Sequence, residues 1–418
     1  MLFAVIMERG QLLKEMNEAG MVIVGGGMAA ARACINLRAN DYAGSITLIS
    51  EEDLLPYDRP PLSKASIVDE AAFGPIALLD DDIVKSLKVD VHLGKTVTSI
   101  NRAEKSVVLP DGSKIFYHKL LIATGAKPRK LNCLGGEHAL TLRDHRDTVL
   151  LREKFQLGKK IVVIGGGFIG LELASSASKL GCHVTLIEAQ HRILMRGVPE
   201  AISKIVYDAH VAAGVQMIIG TGLSYLTAHS VHLADGHEIM ADTIIAGIGA
   251  SPETKLAADA GLAIENGIAC DDHMQTSDPD IFAAGDCASF ILGDRRVRLE
   301  AWRSAQEQAA TAVANMLGLN KRHNSVPWFW SDQYDLSLQI AGQADLGPHT
   351  VQRIPAEGAL VLFHLSDDGT IKGASGIGIG NAIGRDIKVA EMLIAKNAKP
   401  SPQILADAAQ PLKSLLKA

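Results

Sequence analysis

The chain has 418 residues, 47% hydrophobic and 21% charged, with a formal net charge of −6. That length exceeds one ordinary core, so two or three domains are expected in a soluble globular protein. The acidic total argues against nucleic acid as a partner, and no apolar run reaches the ~20 residues of a membrane span. The five cysteines, Cys34, Cys133, Cys182, Cys270 and Cys287, are odd in number and show no C-x-x-C spacing. They read as the reduced thiols of a cytoplasmic protein, not as a disulfide framework.

Residues 1–19 read as a loose extension. The apolar stretch Leu2–Ile6 lacks a leading basic region, is short for a signal core and runs into Glu8; Met1 and Met16 both remain candidate starts. Met21–Val24 predicts a short strand, Gly25-Gly26-Gly27 a tight turn, Met28–Ala39 a helix and Ile46–Ile49 a second strand. The pattern returns with Ile161–Ile164, Gly165-Gly166-Gly167, a helix over Phe168–Leu180 and a strand over Val184–Ile187. The chain therefore carries two β-α-β units, their turns 140 positions apart. Near Pro327 the composition changes. Trp328-Phe329-Trp330 opens a tail with strand-like runs such as Leu360–Leu365 and a helix-like stretch from Asp386 to Lys396, which reads as a third, smaller domain. The glycine-rich segment 373–380 reads as a flexible or ligand-near loop, or as a tight turn.

The first turn is Gly25-x-Gly27-x-x-Ala30 and the second is Gly165-x-Gly167-x-x-Gly170. In such a turn the first glycine permits the sharp reversal and the second lets a pyrophosphate approach the backbone. The third small residue lets helix and strand pack closely. The helix start then offers N–H groups and a positive dipole end to the phosphates. An acid follows the second strand of each unit: Glu51, 26 positions after Gly25, and Glu188, 23 positions after Gly165. A carboxylate there accepts hydrogen bonds from an adenosine ribose. Glu188 also repels a 2′-phosphate, and no Arg or Lys occupies the next three positions, so NADH is favoured over NADPH. Two dinucleotide sites suggest a relay between a resident and an exchanging dinucleotide. The spacing alone does not say which is which.

The chain resembles the FAD-dependent pyridine nucleotide reductases, and within them the NADH:ferredoxin reductase branch, over about residues 20–400. The resemblance rests on Pro56-Tyr57-Asp58-Arg59-Pro60-Pro61-Leu62-Ser63-Lys64, Ala123-Thr124-Gly125, the stretch from Asp278 to Asp286, and Trp328–Gln333 after Pro327. It implies an α/β protein with two Rossmann-like dinucleotide-binding domains, glutathione reductase-like, plus a smaller α+β C-terminal domain. The implied boundaries are 20–127 with 243–326 for a discontinuous FAD domain, 128–242 for the NADH domain and 327–418 for the C-terminal domain. By resemblance the first unit holds non-covalent FAD and the second holds NADH. Asp286 then hydrogen-bonds the flavin dinucleotide, Arg59 and Lys64 lie beside it, and Trp302 and Trp330 are the aromatics around its ring. Ala123, Thr124, Gly125 and Gly249 are further cofactor-contacting positions. Lys64 near the flavin N5 edge and Glu172 beside the nicotinamide form the implied catalytic pair, placing positive charge where the reduced flavin gains electron density.

The disulfide reductases of this superfamily carry a Cys-x-x-x-x-Cys pair after the first Rossmann helix, whereas residues 40–64 here contain no cysteine. The resemblance thus implies direct exit of electrons to a [2Fe–2S] ferredoxin serving a ring-hydroxylating dioxygenase or a cytochrome P450. Arg295, Arg296, Arg298 and Arg303 are candidates for a basic patch that steers it. No metal is expected, and monomer and homodimer both remain open. Two alternatives stand: a redox-sensing interaction protein like apoptosis-inducing factor, and an NADH reductase of another small acceptor.

Overall fold

The computed structural model describes residues 19–416, so the expectations for residues 1–18 lie outside the described residues. Strand β1 (Gly20–Val24), helix α1 (Met28–Ala39) and strand β2 (Ile46–Ile49) form the first β-α-β unit. Every residue of β1 is buried, as a strand with both faces covered requires. Helix α2 (Asp81–Leu87) leads into β3 (Val89–His92), which lies parallel to β2. Strands β4 (Ser99–Asn101) and β5 (Ser106–Val108) form a hairpin that feeds β6 (Lys114–Ile122). β6 returns parallel to β1 on the side away from β2, giving the order β3-β2-β1-β6-β5-β4.

The second sheet repeats this plan. Helix α3 (His145–Lys154) precedes β7 (Lys160–Ile164), α4 (Phe168–Lys179), β8 (His183–Glu188), α5 (Glu200–Ala212), β9 (Gln216–Ile219) and β10 (Thr243–Ala246). All four strands are parallel, in the order β9-β8-β7-β10. In both sheets the order reverses at the first strand of the unit. Ligands of open α/β sheets bind at such a switch point, outside the carboxyl ends of the strands. The chain then returns to the first sheet, where β11 (Ile281–Ala283) lies parallel to β6 and helix α6 (Trp302–Met316) packs on α1.

The chain forms two compact units. One contains the chain up to Asp58, Pro75–Lys127 and Ser251–Ser325; the other contains Arg59–Gly74, Pro128–Ala250 and the chain from Val326 onward. Two expected boundaries are corrected. The return at 243 occurs after Ala250, because Thr243–Ala246 is the buried fourth strand of the second sheet. Segment 59–74 joins the second unit because it is tied to α3: Thr148 donates to the Leu62 carbonyl at 3.2 Å and Arg152 to those of Ser66 and Asp69.

The C-terminal part of the second unit is an antiparallel sheet of β12 (Trp328–Gln333), β13 (Leu336–Gly342), β14 (His349–Arg353), β15 (Leu360–Leu365) and β16 (Ile371–Ile379), followed by helix α7 (Gly384–Ala395). Its order is β12-β13-β16-β15-β14. The glycine-rich segment is therefore neither loop nor turn up to Ile379; it is the central strand β16. Its glycines admit close neighbours. A Cβ on Gly376 would lie 3.0 Å from Ile383 and 3.1 Å from Ile387, and one on Gly378 would lie 3.1 Å from Ala359. Small residues in this strand let α7 and its lead-in seat against the sheet.

Candidate dinucleotide-binding sites

The two glycine turns are built alike. Gly25 N–H donates to the Ile49 carbonyl at 2.8 Å, and Gly165 N–H donates to the Ile187 carbonyl at 2.8 Å. Gly25 has φ +133° and Gly165 has φ +108°, a region that side-chain-bearing residues avoid. A Cβ on Gly25 would lie 2.1 Å from the Ala123 carbonyl oxygen, and one on Gly165 would lie 2.5 Å from that of Gly247. The Ala123-Thr124-Gly125 return after β6 is thus matched in the second sheet by Gly247-Ile248-Gly249 after β10. Ala123 N–H bonds Val24 and Gly247 N–H bonds Ile164, both at 2.7 Å. Gly247 was not expected at the site; the register of β10 reveals it. Gly125 and Gly249 both have positive φ, and Thr124 Oγ1 donates to the Glu253 carbonyl at 2.7 Å. Ala30 is fully buried in α1, and a Cβ on Gly170 would lie 2.0 Å from the Gly165 carbonyl, as close helix–strand packing requires.

The helix starts carry the second common feature. α2 and α3 are capped by the side chains of Asp80 and Asp144, whereas α1 and α4 begin at Gly27 and Gly167 with no side-chain cap and no acid in the first turn. Their first N–H groups are left for an external acceptor, and the dipole favours a negative one. Glycine cradles that a Cβ would fill, at switch points, in front of uncapped helices, fit two dinucleotide pyrophosphates.

The strand ends differ. Because Ile49 and Ile187 occupy matching positions, the counterpart of Glu188 is Ser50, not Glu51. Ser50 is buried, and its hydroxyl lies where a Cβ on Gly26 would come within 2.1 Å. Glu188 reaches the same place in its own unit: one carboxylate oxygen accepts from Gly166 N–H and the other from Gln190 N–H, both at 2.7 Å. Glu51 sits one residue further on and is exposed.

In the first unit, Asp286 follows the turn at Gly285, whose N–H bonds Gln308 at 2.8 Å and whose Cβ position lies 3.3 Å from Ala29. Asp286 therefore stands beside the start of α1. Trp302 Nε1 donates to Asp58 at 2.5 Å in the same unit. In the second unit Lys64 and Glu172 meet at 2.7 Å, the carboxylate being 3% exposed. Ser63 donates to the same carboxylate oxygen, and Ser331 donates to the other at 2.6 Å. These two serines lie in segments that carried the resemblance, but nothing local in the sequence marks them as partners of Glu172. Arg59 donates to the Arg143 carbonyl at 2.8 Å, and Trp330 stacks on Trp328 with ring centroids 5.3 Å apart.

Burial pushes all five thiols up, Cys34 to about 12, so none is poised as a thiolate. The expected basic patch is largely neutralised. Arg296 pairs with Glu265 at 3.0 Å, Arg303 with Glu307 at 2.8 Å and Arg298 with Glu300. Three of the four arginines are thus each met by a carboxylate. Among the described residues no helix is long and apolar enough to cross a membrane.

Two sheets, each built around a parallel β-α-β unit with a glycine cradle and an open helix start, define a dinucleotide-dependent oxidoreductase. The chain belongs to the pyridine nucleotide-disulphide oxidoreductase family, whose model matches residues 20–309, and a reductase C-terminal model matches residues 328–416. It is 38% identical to the anthranilate 1,2-dioxygenase system ferredoxin–NAD(+) reductase component of Burkholderia cepacia, covering 96% of this chain and 100% of that protein. It is 35% identical to putidaredoxin reductase of Pseudomonas putida, covering 95% and 97%. The crystal structure of a covalent putidaredoxin reductase–putidaredoxin complex superposes with a TM-score of 0.90 at 34% identity, covering 96% of this chain and 98% of that one.

Proposed function

We propose that the protein is an NADH-dependent ferredoxin reductase, holding FAD at the first turn and NADH at the second, with a [2Fe–2S] ferredoxin of an oxygenase system as acceptor and the cytoplasm as its compartment. The observation that carries this reading is the pair of open helix starts at two matched switch points, joined in one chain to the Lys64–Glu172 pair. Relatives named as ferredoxin–NAD(+) reductase components support the choice of acceptor.

Bound FAD would supply the redox chemistry, taking a hydride from NADH and releasing electrons singly. The chain binds and orients. The N–H groups after Gly27 receive the flavin dinucleotide pyrophosphate, with Asp286, Thr124, Arg59 and the exposed Glu51 as further ligands. The N–H groups after Gly167 receive that of NADH. Glu188 accepts from the ribose hydroxyls and repels a 2′-phosphate. Lys64 brings a fixed positive charge, held by Glu172, which favours electron density gained on the flavin. Trp302 and Trp330 are the proposed aromatic neighbours of the ring. With every thiol buried or protonated, electrons leave without a cysteine relay.

The test is to identify the cofactor released on denaturation and then compare acceptors under NADH. FAD release with turnover fastest for a [2Fe–2S] ferredoxin supports the reading. Colourless protein that ignores added FAD, or equal rates for every small acceptor, would contradict it.

A further inference from the structure

Glu172 is the end point of a longer buried chain. Besides Ser63 and Lys64, its carboxylate accepts from Ser331 of β12, and Ser331 accepts from Gln333 Nε2 at 3.2 Å. Gln333 Oε1 lies 2.8 Å from His210 Nε2, and Tyr334 Oη lies 3.2 Å from His210 Nδ1. Ser331, Gln333 and His210 are all buried, His210 at 0% exposure.

The donor directions form one consistent set. A carboxylate only accepts, so the Ser331 hydroxyl must donate to Glu172. The Ser331 oxygen then accepts from the Gln333 amide NH₂, which turns the amide oxygen toward His210. His210 must therefore carry its proton on Nε2, leaving Nδ1 to accept from Tyr334. Burial pushes the His210 pKa down, in keeping with this neutral form. Each donor in the chain points toward Glu172, and aligned hydrogen bonds in a dry interior strengthen one another.

We propose that Ser331, Gln333 and His210 are positioning residues that fix the Glu172 carboxylate and, through it, the Lys64 ammonium. The C-terminal strand β12 thereby helps set how readily the site accepts a hydride. The inference rests on the reading under Proposed function. Ser331 has the most direct role, because among the described residues it alone holds the carboxylate oxygen that Lys64 does not use.

The test uses the full flavin-loaded chain with anaerobic stopped-flow titration by NADH, which separates Kd from the limiting rate of flavin reduction. Ser331→Ala should lower the limiting rate about tenfold while Kd stays within about twofold, the scale of one lost hydrogen bond to a charged group. Ser331→Thr, which keeps the hydroxyl, should restore most of the rate. Should the alanine variant lose its flavin, Gln333→Met reads the same chain one link back and should slow reduction about threefold. A readout independent of turnover is the ¹⁵N spectrum of the histidines, with His210→Gln assigning the signal. His210 should be the neutral Nε2–H form. Wild-type rates in Ser331→Ala, a threonine variant no faster than the alanine one, wild-type rates in Gln333→Met, or an Nδ1–H tautomer would each overturn the inference. Wild-type flavin that NADH does not reduce would instead overturn the functional reading beneath it.

Discussion

The turns at Gly25 and Gly165 share a backbone but not a strand end. Both have a positive φ, both press on the carbonyl of a returning chain, and both open onto uncapped helices. At the end of β8 stands Glu188, holding Gly166 N–H with one oxygen. At the matching place after β2 stands the small hydroxyl of Ser50, and the nearest acid, Glu51, is exposed. A pyrophosphate needs only the turn and the helix dipole, so those are repeated. Discrimination between dinucleotides needs a charge at a defined place, and only the second unit has one there. The difference fits the proposed roles, an exchanging dinucleotide selected at the second turn and a resident one held at the first.

The largest effects should come from the shared backbone. Gly25→Ala and Gly165→Ala each cost about 1–3 kcal/mol in backbone strain, before a clash that only backbone movement relieves. The first should abolish flavin retention. The second should spare the flavin and abolish its reduction by NADH. Absorbance spectra with and without NADH distinguish the two, and identical phenotypes would break the assignment of one dinucleotide to each turn.

Acid should act on both units, and on the second through His210 as well, whose pKa burial also pushes down. Each carries a buried imidazole, His323 in the first and His364 in the second, whose pKa burial lowers from 6.5 to about 4. The unfolded chain binds these protons from about pH 6.5 downward, while the folded one resists until about pH 4. Stability is therefore complete above pH 6.5 and falls on the order of 3 kcal/mol per histidine as pH drops toward 4. Denaturant midpoints across that window measure the loss, and His323→Gln and His364→Gln should each flatten it.

A smaller effect separates the two strand ends. Glu188→Ala should reduce the preference for NADH over NADPH in kcat/KM about tenfold, the value of a charged hydrogen bond and a lost repulsion. Glu51→Ala, removing an exposed carboxylate, should weaken flavin retention only a few-fold, about the scale of a solvated charge. Equal effects at the two positions would show that register does not govern their roles. The smallest expected effect concerns the thiols. With all five pushed toward the thiol form, alkylation at neutral pH should leave NADH-driven flavin reduction unchanged.

Much of this was legible in the chain. Apolar runs ending in glycine turns located β1, α1, β2, β7, α4 and β8 to within one residue, because buried parallel strands and uncapped helices leave strong local patterns. The glycine-rich strand β16 was not legible, since its glycines answer to α7 and its lead-in, which only the folded sheet brings near. The end of the second sheet at Ala246 was missed for a similar reason: strand β10 is apolar wherever it pairs, and only its register with β7 says which sheet owns it. Ser50 escaped notice because an acid stood one residue beyond it. The partners of Glu172 lie 109 and 159 positions away at Ser63 and Ser331, a relation that no local spacing encodes. Three of the four arginines read as a patch are met by Glu265, Glu300 and Glu307, none of which is adjacent to its arginine in sequence.

The most direct test of the central claim is an anaerobic single turnover. Flavin-loaded protein is mixed with one equivalent of NADH, then with oxidised [2Fe–2S] ferredoxin, while the flavin and iron–sulfur absorbances are followed. The account predicts that the flavin band bleaches and then recovers as ferredoxin is reduced in a two-to-one ratio to NADH, with native and alkylated thiols alike. A flavin that bleaches and stays reduced in the presence of excess ferredoxin would contradict it, and would favour a redox sensor that holds its charge over a reductase that passes it on.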